Sequence, residues 1–173
     1  MAPVSSPTQP SSGARPAAVL VPLFEERGDV RVVLTRRTAH LPSHRGEVAF
    51  PGGRCEDDEP LVRAALREAA EEIYLATLHL RDHPNVANDH AVRAFVGLLP
   101  GRPQLVPNPA EIERVFDVGL GELMAEGVYR EEIWELSWGE REVSFFELDG
   151  DTVWGATARI LRQLLEGVAG APP

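Results

Sequence analysis

The stretch GGRCEDDEPLVRAALREAAEEIYL, from Gly52 to Leu75, is the most informative part of this 173-residue chain. Glu68, Glu71 and Glu72 stand in it at positions i, i+3 and i+4, which project from neighbouring points of one helical surface. Like charges this close repel one another unless a cation lies between them, and Mg²⁺ or Mn²⁺ prefers carboxylate oxygens. Taken alone, a Glu-rich run is more often a solvated helix face. The choice between the two therefore depends on the surrounding residues.

The second half of this stretch has the periodicity of an amphipathic helix. Pro60 suits its first turn, with Asp58 or Glu59 near the cap. Glu72 falls at the edge of the apolar face, where a carboxylate is at least partly buried and needs a partner to stay ionised. The apolar face consists of Leu61, Val62, Ala65, Leu66, Ala69 and Ile73.

The same residues resemble the Nudix box, G-x5-E-x7-R-E-U-x-E-E-x-G-U, in which U is an aliphatic residue. Tyr74 departs from this pattern, because the family has Gly there. A Gly lets the helix end in a left-handed conformation, which costs a Tyr roughly 1–2 kcal/mol. The departure removes no carboxylate, so we expect catalysis to survive it. The matching residues are Gly53, Glu59, Arg67, Glu68, Ala69, Glu71, Glu72 and Leu75.

This resemblance implies a role for each charged residue of the box. Glu68 and Glu72 are the first metal ligands, Glu71 adds a third carboxylate, and the metal is Mg²⁺ or Mn²⁺. Glu59 is an outer ligand or acts through bound water, and Arg67 orients a carboxylate such as that of Glu71. The general base is one of these carboxylates or a Glu from a distant loop. The sequence does not choose between them, and the distant candidates are Glu111 and Glu140.

A second signature precedes the box and resembles the coenzyme A diphosphatase branch of the Nudix superfamily. It runs from Leu34-Thr35-Arg36-Arg37 through Leu41 to His44-Arg45-Gly46-Glu47-Val48-Ala49-Phe50-Pro51-Gly52-Gly53. Two further segments, 108–112 and 153–161, agree with that branch, whereas segment 75–94 is shorter than the branch usually carries. The resemblance implies that this signature binds substrate, through Arg36, Arg37, His44, Arg45, Gly52 and Gly53.

The cationic residues of this signature allow two interpretations. They could offset the acidic site and hold phosphate oxygens, as the diphosphate and 3′-phosphate of coenzyme A require. Alternatively, Arg36 or Arg37 covers a sheet edge or pairs with an acidic neighbour. For each Arg taken singly, we weigh the two interpretations equally.

Composition limits the partners of the chain. With a net charge of −10 and no basic run, a nucleic acid polymer is not expected, whereas a small phosphorylated metabolite is. No apolar run approaches the length of a membrane span. Cys55 is the one cysteine, which suits a reducing compartment and predicts a cytoplasmic protein. A homodimer is expected only because two-fold dimers are common.

The order of the predicted elements favours a Nudix-type α/β/α sandwich with a mixed β-sheet, formed by one domain over residues 17–168. Residues 1–16, half of them Pro or Ser, predict a disordered tail. Strands are predicted at 17–24, 29–35, 47–50, 93–99, 115–118, 131–136 and 142–148, a sharp turn at 51–53, and helices over the box to residue 74, at 120–125 and at 154–165.

Three functions are compatible with these patterns. The first is metal-dependent hydrolysis of the diphosphate bond of coenzyme A or acyl-CoA, giving 3′,5′-ADP and 4′-phosphopantetheine or its acyl form. The second is a Nudix hydrolase of ADP-ribose, a dinucleotide or another nucleotide. The third is a Nudix-fold module that binds a ligand without hydrolysing it.

Overall fold

A computed structural model describes residues 16–75, 88–89, 92–137 and 139–169. The expected tail, apart from Pro16, and most of the short segment after the box lie outside these ranges. No helix within them is long and apolar enough to cross a membrane. The strands are β1 (Ala17–Glu26), β2 (Asp29–Arg37), β3 (Val48–Ala49), β4 (Gly52–Arg54), β5 (Asn88–Asp89), β6 (Val92–Leu98), β7 (Ile112–Gly119), β8 (Tyr129–Leu136), β9 (Gly139–Leu148) and β10 (Asp151–Trp154). The helices are α1 (Leu61–Ile73), α2 (Leu120–Leu123) and α3 (Gly155–Ala169).

The described strands form two sheets. The larger has the order β3-β2-β1-β6-β5, with β4 also paired to β1 and β7 to β2. Strands β1 and β6 run parallel and the other pairs antiparallel, so this sheet is mixed. Strands β10, β9 and β8 form the second sheet, which is antiparallel.

The larger sheet lies between α1 and α3, because successive side chains of a strand point to opposite faces. Leu20 and Val33 pack with α1 on one face, whereas Val21 and Leu34 pack with α3 on the other. The α/β/α sandwich with a mixed sheet is thus confirmed. The helices contribute Ala64, Ala65, Ala69 and Ile73 to the first layer, and Ala158, Ile160, Leu161, Leu164 and Leu165 to the second.

Two local predictions before the box are corrected. The strand expected at 47–50 is reduced to Val48–Ala49, which pairs with Thr35 and Arg36. The sharp turn expected at 51–53 is instead the start of β4, because Gly52–Arg54 pairs antiparallel with the beginning of β1. A Cβ at Gly52 would lie 2.4 Å from the Ala18 carbonyl oxygen, so only Gly allows the backbones this close.

Candidate active site

Helix α1 begins at Leu61 and presents the carboxylates of the box. Pro60 occupies the N-cap in an extended conformation, so neither Asp58 nor Glu59 caps the helix. Glu59 instead accepts two hydrogen bonds from Arg67, from Nε to Oε1 and from Nη2 to Oε2, both at 3.0 Å. This guanidinium lowers the pKa of Glu59 below the ordinary value of 4.5.

Arg67 connects the loop before α1 with two further carboxylates of the helix. Its Nη1 donates to Glu68 Oε1 at 3.0 Å and to Glu71 Oε2 at 3.3 Å, and its Nη2 donates to the Arg54 carbonyl at 3.3 Å. Glu71 is the most exposed of its partners, with 59% of its side chain accessible to solvent. Arg67 therefore orients the carboxylates of Glu59 and Glu68, and makes a longer contact with the exposed Glu71.

Glu72 is the buried carboxylate of the site, with 3% of its side chain exposed. The prediction that Glu72 is at least partly buried is confirmed. Its Oε2 accepts the Gly52 backbone N–H at 3.0 Å, and its Oε1 accepts Arg37 Nη1 at 3.3 Å. Burial raises the pKa of Glu72 to about 7, although the Gly52 hydrogen bond and the Arg37 charge oppose the rise.

Glu68 is held against the backbone of β4. A Cβ at Gly53 would lie 2.5 Å from the Glu68 carboxylate, so the absence of a side chain makes room for that group. Burial raises the pKa of Glu68 above its ordinary value, and Arg67 opposes this rise. The negative charges of Glu71 and Glu111 raise it further.

Glu111 reaches the site from the segment between β6 and β7. In that segment the Val106 and Asn108 N–H groups donate to the Ile73 and Glu72 carbonyls, at 3.3 and 2.8 Å, and so close the end of α1. The negative charge of Glu111 raises the pKa of both Glu68 and Glu72. Glu140, the other distant candidate, is an exposed residue of β9 in the second sheet.

The carboxylates suit a hard cation by their chemistry, although they do not yet enclose one. Over the ranges that the structure describes, no three His, Cys, Asp or Glu side chains converge on a point where they could hold a metal ion. Glu71 is directed to Arg67, whereas Glu68, Glu72 and Glu111 repel one another. Every donor in this set is a carboxylate oxygen, which is the ligand that Mg²⁺ and Mn²⁺ prefer.

The signature before the box is divided between two faces of the sheet. Arg37, Gly52 and Gly53 contact the carboxylates of α1. Arg36 instead donates to Asp151 Oδ1 at 2.9 Å, and its Nε lies 3.5 Å from Glu113. The alternative of pairing with acidic neighbours is therefore what the structure shows for Arg36.

His44 and Arg45 lie on the exposed loop between β2 and β3. The His44 ring nitrogen Nδ1 contacts Glu47 Oε2 at 2.8 Å, and this hydrogen bond raises the pKa of His44 above 6.5. The structure does not describe the three histidines after the box, which are His79, His83 and His90, or the tryptophan at Trp138.

Comparison with known proteins identifies the family. The model of the family described as "NUDIX domain" matches residues 14–147. Two proteins named "Uncharacterized Nudix hydrolase NudL" are similar over most of the chain. The one from Photorhabdus laumondii is 35% identical, covering 94% of this chain and 89% of that protein. The one from Yersinia pestis is 34% identical, covering 92% and 82%.

Solved structures share the fold at lower sequence identity. RenU, a Nudix hydrolase from M. smegmatis, has a TM-score of 0.63 at 19% identity, covering 92% of this chain and 88% of its own. A MutT/nudix family protein from Enterococcus faecalis has a TM-score of 0.59 at 19% identity, covering 95% and 66%. The NUDIX domain of Shewanella oneidensis NrtR, solved with ADP ribose, has a TM-score of 0.51 at 17% identity, covering 66% and 78%. With the family match over residues 14–147 and relatives more than 30% identical, the chain belongs to the NUDIX domain family, the family of the Nudix hydrolases.

Proposed function

We propose that this Nudix hydrolase, which acts on a nucleoside diphosphate derivative, cleaves the diphosphate bond of coenzyme A or acyl-CoA. The products are 3′,5′-ADP and 4′-phosphopantetheine or its acyl form. One observation carries the proposal. Arg37 and Gly52, from the signature before the box, both hydrogen-bond to Glu72 of the box. Two of the residues behind the substrate inference thus contact a carboxylate behind the hydrolase inference, which supports a common site.

The carboxylates of α1 hold the divalent metal in this proposal, with Glu68 and Glu72 as the first ligands and Glu71 as the third. When bound there, Mg²⁺ or Mn²⁺ would neutralise charge on the diphosphate and polarise a phosphoryl oxygen. Arg67 keeps the carboxylates of Glu59 and Glu68 in place and also contacts that of Glu71. The absence of a side chain at Gly53 leaves room for Glu68.

Glu111 is our choice of general base, because its charge acts on Glu68 and Glu72 and Glu140 lies in the other sheet. It accepts a proton from the water that attacks one phosphorus. The new P–O bond forms from that water, the bridging P–O bond breaks, and the second phosphate leaves. No covalent intermediate with the protein is needed.

Substrate recognition is assigned to the cationic residues around this site. Arg37 is next to Glu72, and the exposed His44 and Arg45 are available for a phosphate beyond the diphosphate. In this proposal the protein is cytoplasmic and acts on a small metabolite. We also propose a homodimer, which size-exclusion chromatography tests.

A second candidate is a Nudix hydrolase of another nucleoside diphosphate derivative, such as ADP-ribose or a dinucleotide. The observation that favours it is the direction of Arg36, which pairs with Asp151 on the face away from Glu72. One residue of the coenzyme A signature is therefore not directed to the carboxylates.

A substrate panel with Mg²⁺ and with Mn²⁺ tests these functions, with products resolved by chromatography. Coenzyme A, ADP-ribose, a dinucleotide and nucleoside triphosphates are compared for the wild type and Glu72→Gln. We expect 3′,5′-ADP from coenzyme A with wild type and little from the variant. Cleavage of another substrate alone would overturn the coenzyme A proposal. Coenzyme A binding without hydrolysis by either protein would favour the ligand-binding module.

A further inference from the structure

The buried carboxylate Glu72 already has a cationic partner within the protein. Its two described hydrogen bonds come from the Gly52 N–H and from Arg37 Nη1. The Gly52 donor is a backbone N–H of β4, which binds Glu72 Oε2 but carries no full positive charge. Arg37 therefore supplies the full positive charge in contact with Glu72.

Arg37 contacts Glu72 only loosely for a charged pair at a buried carboxylate. Its bond to Glu72 Oε1 is 3.3 Å long, beyond the usual range for a charge-assisted hydrogen bond. Its Nε is buried with no hydrogen-bond partner among the described residues, and 22% of its side chain is exposed. The Arg37 guanidinium thus has a donor left for another acceptor, and part of its side chain is accessible to solvent.

A divalent cation cannot bind Glu72 Oε1 without opposing this guanidinium. Metal–oxygen distances in Mg²⁺ and Ca²⁺ sites are about 2.0–2.6 Å, which would place two positive charges against one carboxylate oxygen. The repulsion between a divalent ion and a guanidinium at such separations is large even in a high dielectric. The metal and the guanidinium therefore compete for that oxygen, and metal binding weakens the Arg37 contact.

We infer that Arg37 is the internal counter-ion of Glu72 in the metal-free protein, and that metal binding displaces it toward a phosphate oxygen of the substrate. This inference rests on the proposed metal site at Glu72 and adds a positioning role for Arg37. The metal then binds before the substrate, since only a displaced Arg37 presents its paired N–H donors to a phosphate. Arg37 thus couples metal occupancy to phosphate binding.

Arg36 is a matched control for this inference. It is the adjacent residue of β2, carries the same charge, and also pairs with a carboxylate whose side chain is 3% exposed. Its partner, however, is Asp151 on the opposite face of the sheet. A Gln substitution at either position removes one positive charge, but only the substitution at 37 removes the competitor at Glu72.

Mn²⁺ binding, measured by electron paramagnetic resonance of the free ion, tests the competition. We expect Arg37→Gln to bind Mn²⁺ roughly tenfold more tightly than wild type, and Arg36→Gln to change the affinity by less than about twofold. Equal or weaker binding by Arg37→Gln would overturn the inference, as would equal gains in both variants. Absence of Mn²⁺ binding by wild type would overturn the metal site itself.

A second measurement probes displacement directly in the wild-type protein. The Arg37 Nε–H signal is followed by NMR, first with Mg²⁺ and then with ADP as the phosphate probe, using Arg37→Lys for assignment. We expect the signal to shift on addition of Mg²⁺, and to respond to ADP only when Mg²⁺ is present. The inference would be overturned if the Arg37 signal did not shift with Mg²⁺, or if it shifted equally with ADP in the absence of Mg²⁺. Neither measurement depends on coenzyme A, so failure of the substrate proposal leaves both interpretable.

Discussion

Tyr74 occupies a conformation that the family pattern reserves for glycine. The residue has φ 51° and ψ 36°, and 64% of it is exposed. Its N–H donates to the Ala70 carbonyl at 3.1 Å, so helix α1 still closes in the left-handed manner. The carboxylates upstream keep their places because the backbone, and not the side chain, accommodates the substitution.

Relief of this conformation is expected to stabilise the protein. Tyr74→Gly removes a left-handed penalty of roughly 1–2 kcal/mol, offset by about 0.5–1 kcal/mol for the greater freedom of Gly in the unfolded chain. The expected net gain in the free energy of unfolding is about 0.5–1 kcal/mol, measured by urea denaturation. Tyr74→Ala keeps the penalty and serves as the control. A gain as large in the Ala variant would contradict this explanation.

Gly53 is expected to matter for activity through Glu68. In Gly53→Ala the new Cβ occupies the position 2.5 Å from the Glu68 carboxylate, so that side chain must move. Because misplacing Glu68, the proposed metal ligand, should weaken catalysis steeply, kcat/KM should fall by at least about tenfold. Gly101→Ala is the control, since a Cβ at Gly101 meets nothing within 4 Å. Unchanged kcat/KM in Gly53→Ala would show that Glu68 can adapt.

At the scale of elements, the loop between β2 and β3 carries a pH-sensitive contact. The hydrogen bond to Glu47 raises the pKa of His44 above 6.5. The folded state therefore holds this proton more tightly than the unfolded chain. The pair stabilises the fold below pH 6.5 and this contribution is lost as the pH rises through the raised pKa.

An NMR titration of the His44 ring tests this contact. The wild-type midpoint should lie above 6.5, and Glu47→Gln should lower it because the hydrogen bond to a carboxylate is lost. Since 64% of the His44 side chain is exposed, we expect only a small accompanying change in stability. Identical midpoints in the two proteins would show that Glu47 does not hold the proton.

The elements with strong local signals could be predicted from the sequence. Helix α1 follows from its apolar periodicity, and the β1–β2 hairpin from two apolar runs around Arg27-Gly28. Strands β4 and β10 could not be predicted, because Gly52–Arg54 and Asp151–Trp154 are short and gain their strand character only from a partner. Pairing with a strand elsewhere in the chain produces little recognisable pattern in the sequence of the short strand itself.

The candidate site divides in the same way. The box carboxylates follow from helical spacing and the family pattern. The sequence could not distinguish Glu111 from Glu140, because that depends on hydrogen bonds from Val106 and Asn108 to the end of α1. We also did not predict from the sequence that the Arg36 and Arg37 side chains point to opposite faces of the sheet. The alternation of side chains along a strand is the signal that indicates this.

At the scale of the whole molecule, Asp151 joins the two sheets. Its carboxylate, 3% exposed, pairs with Arg36 of β2 at 2.9 Å and with Arg114 of β7. Asp151 itself belongs to β10 in the second sheet. Two cations from the larger sheet therefore share one buried carboxylate of the smaller sheet.

Removing this charge should weaken the folded state markedly. Asp151→Asn leaves both guanidinium groups without their common carboxylate, and we expect a loss of about 2–4 kcal/mol in the free energy of unfolding. Asp149→Asn, at an exposed position two residues earlier, should stay within about 0.5 kcal/mol of wild type. Urea denaturation measures both. Equal stability of the two variants would show that the bridge contributes nothing.

The central position of β1 in the larger sheet affects how the chain reaches its fold. Strand β1 starts at Ala17, yet its parallel partner β6 starts only at Val92, and the two pair from Ala17↔Val92 to Leu23↔Leu98. During synthesis the β1–β2 hairpin emerges with an unfilled edge and two apolar faces, long before β6 leaves the ribosome. Such distant pairing slows folding and exposes that edge to aggregation. The amount of soluble protein from expression at high rates should therefore depend on protection of the nascent hairpin, for example by a ribosome-associated chaperone.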